Sequence, residues 1–410
     1  MICGKAGCGL QYAVKRSGSA VGYCSLSIKC GTKYEGDFHK GTAHFTEHTV
    51  FKGTSYKSAN VINSYLDKLG GELNAYTTKE EIVFHATVLK EDLRKAGSLL
   101  MELASSPIFP EDEIETEKSV VIDEINSYKD SPADDVYDKF EEALFSGGPL
   151  GRPILGTKDS VRDITGEELR RFVKENFNPS AMAFTIVADM EEAKLEKLAL
   201  ELISKYFGNT LVSPVKTPEI KNILFPKPFD TTTDKHNHEV NAVLGGLAPS
   251  LYGEKKRMAA ILMSNILGGP AANSILNNEL REKNGWVYGV ECSYNQYSDS
   301  GVLTVCLGCD RKNLDRCLKA IGKAISRLQE DSLSPTKLKA AKKQLIGQVA
   351  ISSDNGETQC LSMGKSLLAF GSIASDKENT RKIEAVTAAE IQDITIEILD
   401  PGKVSKLIFL

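Results

Sequence analysis

The residues best equipped for chemistry are His44, Glu47 and His48, in the stretch GTAHFTEHTVFKGT from Gly41 to Thr54. The chain has six histidines, and two of them stand four residues apart here with a glutamate between them. On a helix, His44, Glu47, His48 and Phe51 fall at i, i+3, i+4 and i+7 and share one face. Histidines at i and i+4 can both reach one Zn²⁺ at about 2.0–2.1 Å from each nitrogen. A glutamate on that face is near enough to take a proton from an attacking water. The same spacing also describes a polar helix face carrying two solvated histidines.

An acidic third ligand would favour the metal. The stretch EDEIETEKSVVIDEINSYKDSP runs from Glu111 to Pro132 and places Glu113, Glu117 and Glu124 at i, i+4 and i+11, with Val120 and Val121 continuing the stripe. Seven residues are nearly two helical turns, so Glu117 and Glu124 stack on one face. The pattern leaves open which carboxylate would bind, and acidic helix faces are commonly no more than solvated.

Other metal-ligand residue types are less well placed. Cys306 and Cys309 form a CxxC, but GVLTVCLGC alternates like a strand, which turns residues three apart to opposite faces. Cys3, Cys8, Cys24 and Cys30 are loosely spaced for a zinc site, and reduced, mostly buried thiols are the preferred reading. His236 and His238 would share a strand face but gather no acidic or cysteine partner, so a structural role is expected. His39 precedes the motif helix in a loop, and His85 lies on the less apolar face of a strand; neither carries a motif.

The elements that must position these residues are written twice. VRDITGEELRRFVKENFNP, ending at Pro179, matches IEAVTAAEIQDITIEILDP, ending at Pro401: Thr165 pairs with Thr387, Glu168 with Glu390 and Pro179 with Pro401 at an offset of 222. AYTTKEEIVFHATVLKEDL matches NQYSDSGVLTVCLGCDRKNL at 221, from Tyr76 to Tyr297 and Leu93 to Leu314. The expected fold is therefore α+β with two homologous domains, each a mostly antiparallel sheet packed with helices. The boundaries read as 1–210 for the motif domain, 211–234 for a linker carrying Pro214, Pro218, Pro226 and Pro228, and 235–410 for the second copy.

In the first copy GLQYAVKRS and YCSLSIKC read as strands, followed by a helix over about Thr42–Lys52. A helix from Ser58, an N-cap candidate, places Ile62, Tyr65, Leu66 and Leu69 on one face and stops at Gly70. ELNAYTT and EIVFHATV read as strands, the second alternating at Ile82, Phe84, Ala86 and Val88. A helix over Glu91–Ala104 and a long helical stretch from Glu111 to about Phe145 follow. The copy closes with a helix Gly166–Asn176, a strand MAFTIVA and a helix Glu191–Tyr206. Offsetting His44, Glu47 and His48 by 221 lands on Asn265, Gly268 and Gly269, so the second copy has no metal motif.

Composition excludes some classes. The chain has 410 residues, too many for one ordinary core, with formal net charge −5 and no lysine/arginine block. Nucleic acid and anionic membrane are thus not expected partners. No signal-peptide h-region and no bilayer-length apolar run is seen, which leads to the expectation of a cytoplasmic protein.

GTAHFTEHTVFKGT, KLGGELNAYTTKEEIVFHATV, ETEKSVVIDEI and LREKNGWVYGV together resemble the pitrilysin/insulinase family of zinc peptidases with inverted H-x-x-E-H motifs. The likeness is nearest to the short-chain branch, which includes the mitochondrial processing peptidases and their bacterial relatives, and covers nearly the whole chain. It implies a zinc endopeptidase with one Zn²⁺ per chain, held by His44, His48 and Glu124, with Glu47 as base and Glu117 orienting a ligand histidine. It further implies that Asn74 and Ala75 contact a peptide added as a strand. Arg281 and Tyr288, through the family's Arg/Tyr pair, would hold substrate backbone and oxyanion. In longer family members that pair lies in the second half of a four-domain chain, so here a partner would supply it. The expectation is a clamshell homodimer closing on peptides or unfolded segments; a non-catalytic structural or assembly subunit of the same fold is the alternative. Three positions depart from the family: Thr46 where leucine is usual, Thr49 where methionine is usual, and Ile275 where arginine is common.

Overall fold

The structure, a computed structural model, describes residues 1–210 and 227–410. The first copy contains β1 (Ile2–Lys5), β2 (Gln11–Arg16), β3 (Val21–Ile28), α1 (Thr42–Thr49), α2 (Ala59–Asn63), β4 (Glu72–Thr77), β5 (Ile82–Leu89), α3 (Leu93–Ser105), α4 (Glu111–Lys129), α5 (Pro132–Leu144), α6 (Lys158–Asp163), α7 (Gly166–Asn176), β6 (Met182–Ala188) and α8 (Glu192–Phe207). The second contains β7 (Asp230–Thr233), β8 (Val240–Ala248), α9 (Glu254–Gly268), β9 (Val287–Gln296), β10 (Gly301–Cys309), α10 (Leu314–Glu330), α11 (Pro335–Ser352), α12 (Gly356–Phe370), α13 (Asp376–Ala385), α14 (Ala388–Ile398) and β11 (Ser405–Phe409).

The duplication is visible in the sheets. The first has the order β1-β2-β6-β3-β5-β4 and the second β7-β11-β8-β10-β9. Apart from β1, each strand of one has its counterpart in the other. The one parallel contact, β2 with β6, recurs as β7 with β11, and the remaining pairs are antiparallel. The architecture is thus the expected mixed α and β fold with two sheets and many helices.

The chain forms two compact units that do not follow its order. Of the described residues, 1–126, 148–210 and 351–373 make the first, and 127–147, 227–350 and 374–410 the second. The first unit thereby gains α12, which packs on β2, β3 and β6. The second gains α5, which packs on β8 and β11. Gly364 allows this seating in the first unit: a Cβ there would lie 2.6 Å from Ser27 Oγ. Most of the expected linker lies outside the described residues, and Asp230–Thr233 within it is the edge strand β7.

Several local expectations change. The helical stretch from Glu111 breaks at Ser131, whose backbone is extended (φ −101°, ψ 98°) because Pro132 follows. The segment after Ser58 is α-helical over Ala59–Asn63 and continues as a short 3-10 turn over Asp67–Leu69, and Ser58 makes no side-chain cap bond among the described residues. Ile62 and Leu66 are nevertheless buried, and Gly70 ends the segment at φ +68°. On α4 the inward stripe is Ile114, Glu117, Val121 and Ile125; Val120, expected on it, is 47% exposed.

Candidate metal centre on helix α1

Helix α1 is interior: seven of its eight residues are buried, the polar Thr42, His44, Thr46, Glu47 and Thr49 among them. A solvated polar face is therefore not what these histidines form. The two departures at Thr46 and Thr49 are accommodated by their own helix. Thr46 Oγ1 donates to the Thr42 carbonyl at 2.7 Å and Thr49 Oγ1 to the Phe45 carbonyl at 2.6 Å, so neither buried hydroxyl lacks a partner. Ile275, in place of arginine, is partly buried against the apolar core of the second unit.

Helix α1 starts under constraint. Gly41, its N-cap, sits at φ +87°, and a Cβ there would come within 2.8 Å of the Gly156 backbone. Only glycine fits, so the cap has no side-chain oxygen of its own. Glu168 on α7 accepts from the His39 backbone N–H and from His39 Nδ1, both at 2.8 Å, and from Thr42 Oγ1 at 3.2 Å.

Three side chains meet on the inner face. His44, His48 and Glu124 each offer a ligand atom, all within 4.8 Å of one another, and they form the one metal-capable group among the described residues. Glu124 Oε2 lies 3.6 Å from His44 Nε2 and 3.5 Å from His48 Nε2. Tetrahedral bonds of about 2.0–2.1 Å place ligand atoms about 3.4 Å apart, close to both carboxylate–imidazole distances. Glu124 Oε2 and His44 Nδ1 are buried without a hydrogen-bond partner among the described residues. A buried carboxylate oxygen left unsatisfied is costly, and a cation between it and the two imidazoles removes that cost. Two nitrogens and one carboxylate oxygen are a donor set of catalytic zinc type.

The surroundings tune this group. Glu117 Oε1 lies 2.9 Å from His48 Nδ1 and its Oε2 2.5 Å from Lys52 Nζ, which leaves His48 Nε2 facing Glu124. Burial pushes Glu117 up, but His48 and Lys52 outweigh it and hold the carboxylate below its ordinary range. Burial, assisted by His48, drives His44 down to about 3, so it stays the neutral imidazole a metal requires. Burial also lowers His48, yet Glu117, Glu47 and Glu124 together raise it above its usual value. Glu47 Oε2 accepts from Thr77 Oγ1 at 3.1 Å; burial and Glu124 raise its pKa against His48 and Thr77.

Thr77 ends β4, the edge of its sheet, with Asn74 opposite His85 and Ala75 opposite Phe84 on β5. Asn74 is exposed and Ala75 half-buried. The strand flank away from β5 pairs with no other strand among the described residues. Arg281 and Tyr288 belong to the second unit, whereas His44, His48 and Glu124 belong to the first. Arg281 lines a cavity of about 460 Å³ with Asn241, Asn277, Gly289 and Glu291. Tyr288 is 61% exposed, and its hydroxyl donates to Asp310 Oδ1 at 2.8 Å. All nine cysteines are free, seven of them buried, and none joins a metal-capable group among the described residues; nor do His236 and His238.

No local sequence pattern marks Thr77, Lys52 or the supports of the helix start. His39 carries no motif, yet it pairs with Glu168. His85 lies 3.0 Å from Glu357 of α12, a partner 272 residues away that no local pattern could indicate.

Known proteins with this frame bear on its chemistry. Residues 12–158 match the family described as insulinase (peptidase family M16), and residues 163–345 the peptidase M16 inactive domain. The chain belongs to peptidase family M16, the insulinase family. It is similar to a Bacillus subtilis protein named an uncharacterized zinc protease, 28% identical over 373 residues that cover 90% of this chain and 88% of that one. A Mycobacterium tuberculosis protein of like name is 29% identical over 375 residues, covering 91% of this chain and 84% of its own. Among solved structures, a Helicobacter pylori protease superposes with a TM-score of 0.90 at 19% identity, covering 100% of this chain and 98% of that one. A Pseudomonas fluorescens protein described as a peptidase M16 inactive domain gives 0.89 at 18%, covering 100% and 97%. These two likenesses are of fold. No helix among the described residues is long and apolar enough to cross a membrane.

Proposed function

We propose that this chain is a zinc-dependent endopeptidase. The observation that carries the reading is the trio His44, His48 and Glu124, with Glu47 on the same helix as the two histidines. Zinc held by that trio would polarise the scissile carbonyl and acidify the attacking water. Glu47, held by Thr77, takes the proton from that water and returns it to the leaving amine. Glu117 keeps the His48 ring oriented through Nδ1. The substrate strand adds along β4, using main-chain hydrogen bonds beside Asn74 and Ala75, which suits extended or unfolded segments rather than folded proteins.

A homodimer completes the reading: Arg281 and Tyr288 of one subunit would hold substrate backbone and oxyanion beside the zinc of the other, enclosing the peptide. One zinc per chain follows from the second copy lacking the motif. The cytoplasm is the compartment this reading favours. A non-catalytic subunit would have no use for an intact buried ligand set with its base and orienting carboxylate.

Glu47→Gln should retain about one zinc per chain and lose turnover of a quenched fluorescent peptide, with the mass in solution reporting a dimer. Turnover that survives both this change and chelation would sink the mechanism. A monomeric, zinc-free, inert wild type would return the non-catalytic subunit.

A further inference from the structure

The mechanism makes no use of Glu35, whose side chain is wholly buried. A carboxyl group buried so fully is costly unless it is hydrogen-bonded and paired, and Glu35 is both. Its Oε1 accepts from the Ala43 backbone N–H at 3.1 Å, one residue before His44. Gly41 cannot cap the helix with a side chain, so Glu35 supplies the missing acceptor from six residues upstream.

Glu35 is also tied to the hairpin that would receive the peptide. Arg152 Nη1 lies 3.3 Å from Glu35 Oε2 and donates to the Phe38 carbonyl at 3.1 Å. The Arg152 carbonyl in turn accepts from Lys79 Nζ at 2.5 Å, in the turn between β4 and β5. The segment carrying Glu35 bonds that turn directly: Thr32 N–H to the Thr78 carbonyl at 3.3 Å, Lys33 N–H to the Lys79 carbonyl at 2.8 Å, and Lys33 Nζ to Glu80 Oε1 at 2.7 Å. Gly31 makes the approach possible, since a Cβ there would meet the Lys79 backbone at 2.3 Å. The metal helix and the strand turn are thus both bound to one short segment, with Glu35 and Arg152 as the joint.

We propose that Glu35 is a positioning residue: with Arg152 it fixes the start of α1 relative to the β4–β5 hairpin, so that Glu47 and the ligand histidines stand in register with a peptide laid along β4. The inference rests on the peptidase reading. Displacements of about 1 Å far from the chemistry can cost on the order of a hundredfold in rate, which is how such a residue would act.

The test uses the full chain and the variants Glu35→Gln, which keeps an acceptor for Ala43 but turns an amide NH2 toward Arg152 in place of the carboxyl oxygen, and Glu35→Ala, which loses both contacts. With a quenched fluorescent peptide, Glu35→Gln should lower kcat by roughly tenfold with KM nearly unchanged and zinc content equal to wild type; Glu35→Ala should lower it further. Hydrogen exchange on the metal-free chain supplies a readout independent of activity. Amides of residues 43–47 should exchange faster in Glu35→Ala, with partial rescue in Glu35→Gln, while those of α3 and α7 hold their wild-type rates. Wild-type kcat in Glu35→Gln would overturn the proposal, as would a fall in kcat without local acceleration or acceleration spread across the whole first unit. If Glu35→Ala does not fold, Glu35→Gln alone decides. A wild type that cleaves no peptide would defeat the peptidase reading, and the exchange arm would still decide whether Glu35 sets the helix start.

Discussion

The two copies within this chain use one frame for opposite ends at the same place. In the first, α1 presents Glu47 toward β4, where Thr77 holds its carboxylate. In the second, the position matching Glu47 is Gly268 near the end of α9, and a Cβ there would lie 2.7 Å from the Cys292 backbone N on β9. Where one copy leaves room for a carboxylate, the other closes helix directly onto strand. The positions of the ligands diverge in the same way. Asn265, which matches His44, donates from Nδ2 to Gln348 Oε1 on α11 at 2.8 Å, and α11 stands where the first copy has α4. One copy thus leaves Glu124 Oε2 buried and without a hydrogen-bond partner among the described residues, where the other closes a neutral amide pair. The first copy gives up packing and polar satisfaction around its motif to hold a charged site; the second keeps both.

The strongest way to break that contrast is to exchange its consequences. Glu124→Gln should strip zinc from the first copy and take peptide turnover to background, because a neutral amide is a poor zinc ligand. Gln348→Ala, at the matching contact of the second copy, should leave zinc content and turnover close to wild type. Metal analysis and peptide kinetics on the two purified variants decide it, and equal losses would mean the second copy shares in holding the metal.

A smaller effect belongs to Gly268. Placing a methyl group against the backbone of β9 should destabilise the chain by about 1–3 kcal/mol, the usual cost of overpacking. Thermal melting of metal-free Gly268→Ala should show the loss, with zinc binding retained. A melting temperature equal to wild type would mean that α9 is not seated on β9 as closely as this geometry has it.

What was legible in the residues follows from the range of the interactions involved. The motif helix, β5 with its inward Ile82, Phe84, Ala86 and Val88, and the helix after Thr165 were readable because their periods and caps are local. The internal repeat made the second sheet readable from the first. The exchange of α5 and α12 between the units was not, because a helix carries the same amphipathic pattern whichever sheet it covers. Pro132 carries the signal that splits α4 from α5, within a helical pattern that continues on both sides of it. The spacing allowed either Glu117 or Glu124 to face the histidines; the family resemblance chose between them, and the geometry places Glu124 between the two Nε2 atoms and Glu117 behind His48. Glu35, Glu168 and Thr77 were unreadable as site residues because each acts through a contact set by tertiary packing.

The finest difference between the copies lies in one repeated cap. Thr165 and Thr387 both accept from the backbone N–H three residues on, at 3.2 and 3.1 Å. In the second copy Glu390 closes the box by accepting from the Thr387 backbone N–H at 2.8 Å. In the first, Glu168 turns instead to His39 and Thr42 ahead of α1. The same glutamate is thus a helix cap in one copy and a support of the metal helix in the other. The Thr387 N–H, and beyond it Lys255 and Lys342, hold Glu390 below its ordinary 4.5. A folded-state pKa below the unfolded one gives stability that is complete above about pH 4.5 and is lost as pH falls through the lower folded value. Glu390→Gln should therefore cost less than about 1 kcal/mol at neutral pH, as expected for an exposed cap, and should become indistinguishable from wild type in acid. Glu168→Gln should instead reduce peptide turnover with α7 still formed, and urea melts at pH 7 and pH 3 beside peptide kinetics separate the two roles. A Glu390 variant that lost turnover as Glu168→Gln does would erase the distinction between the copies at this position.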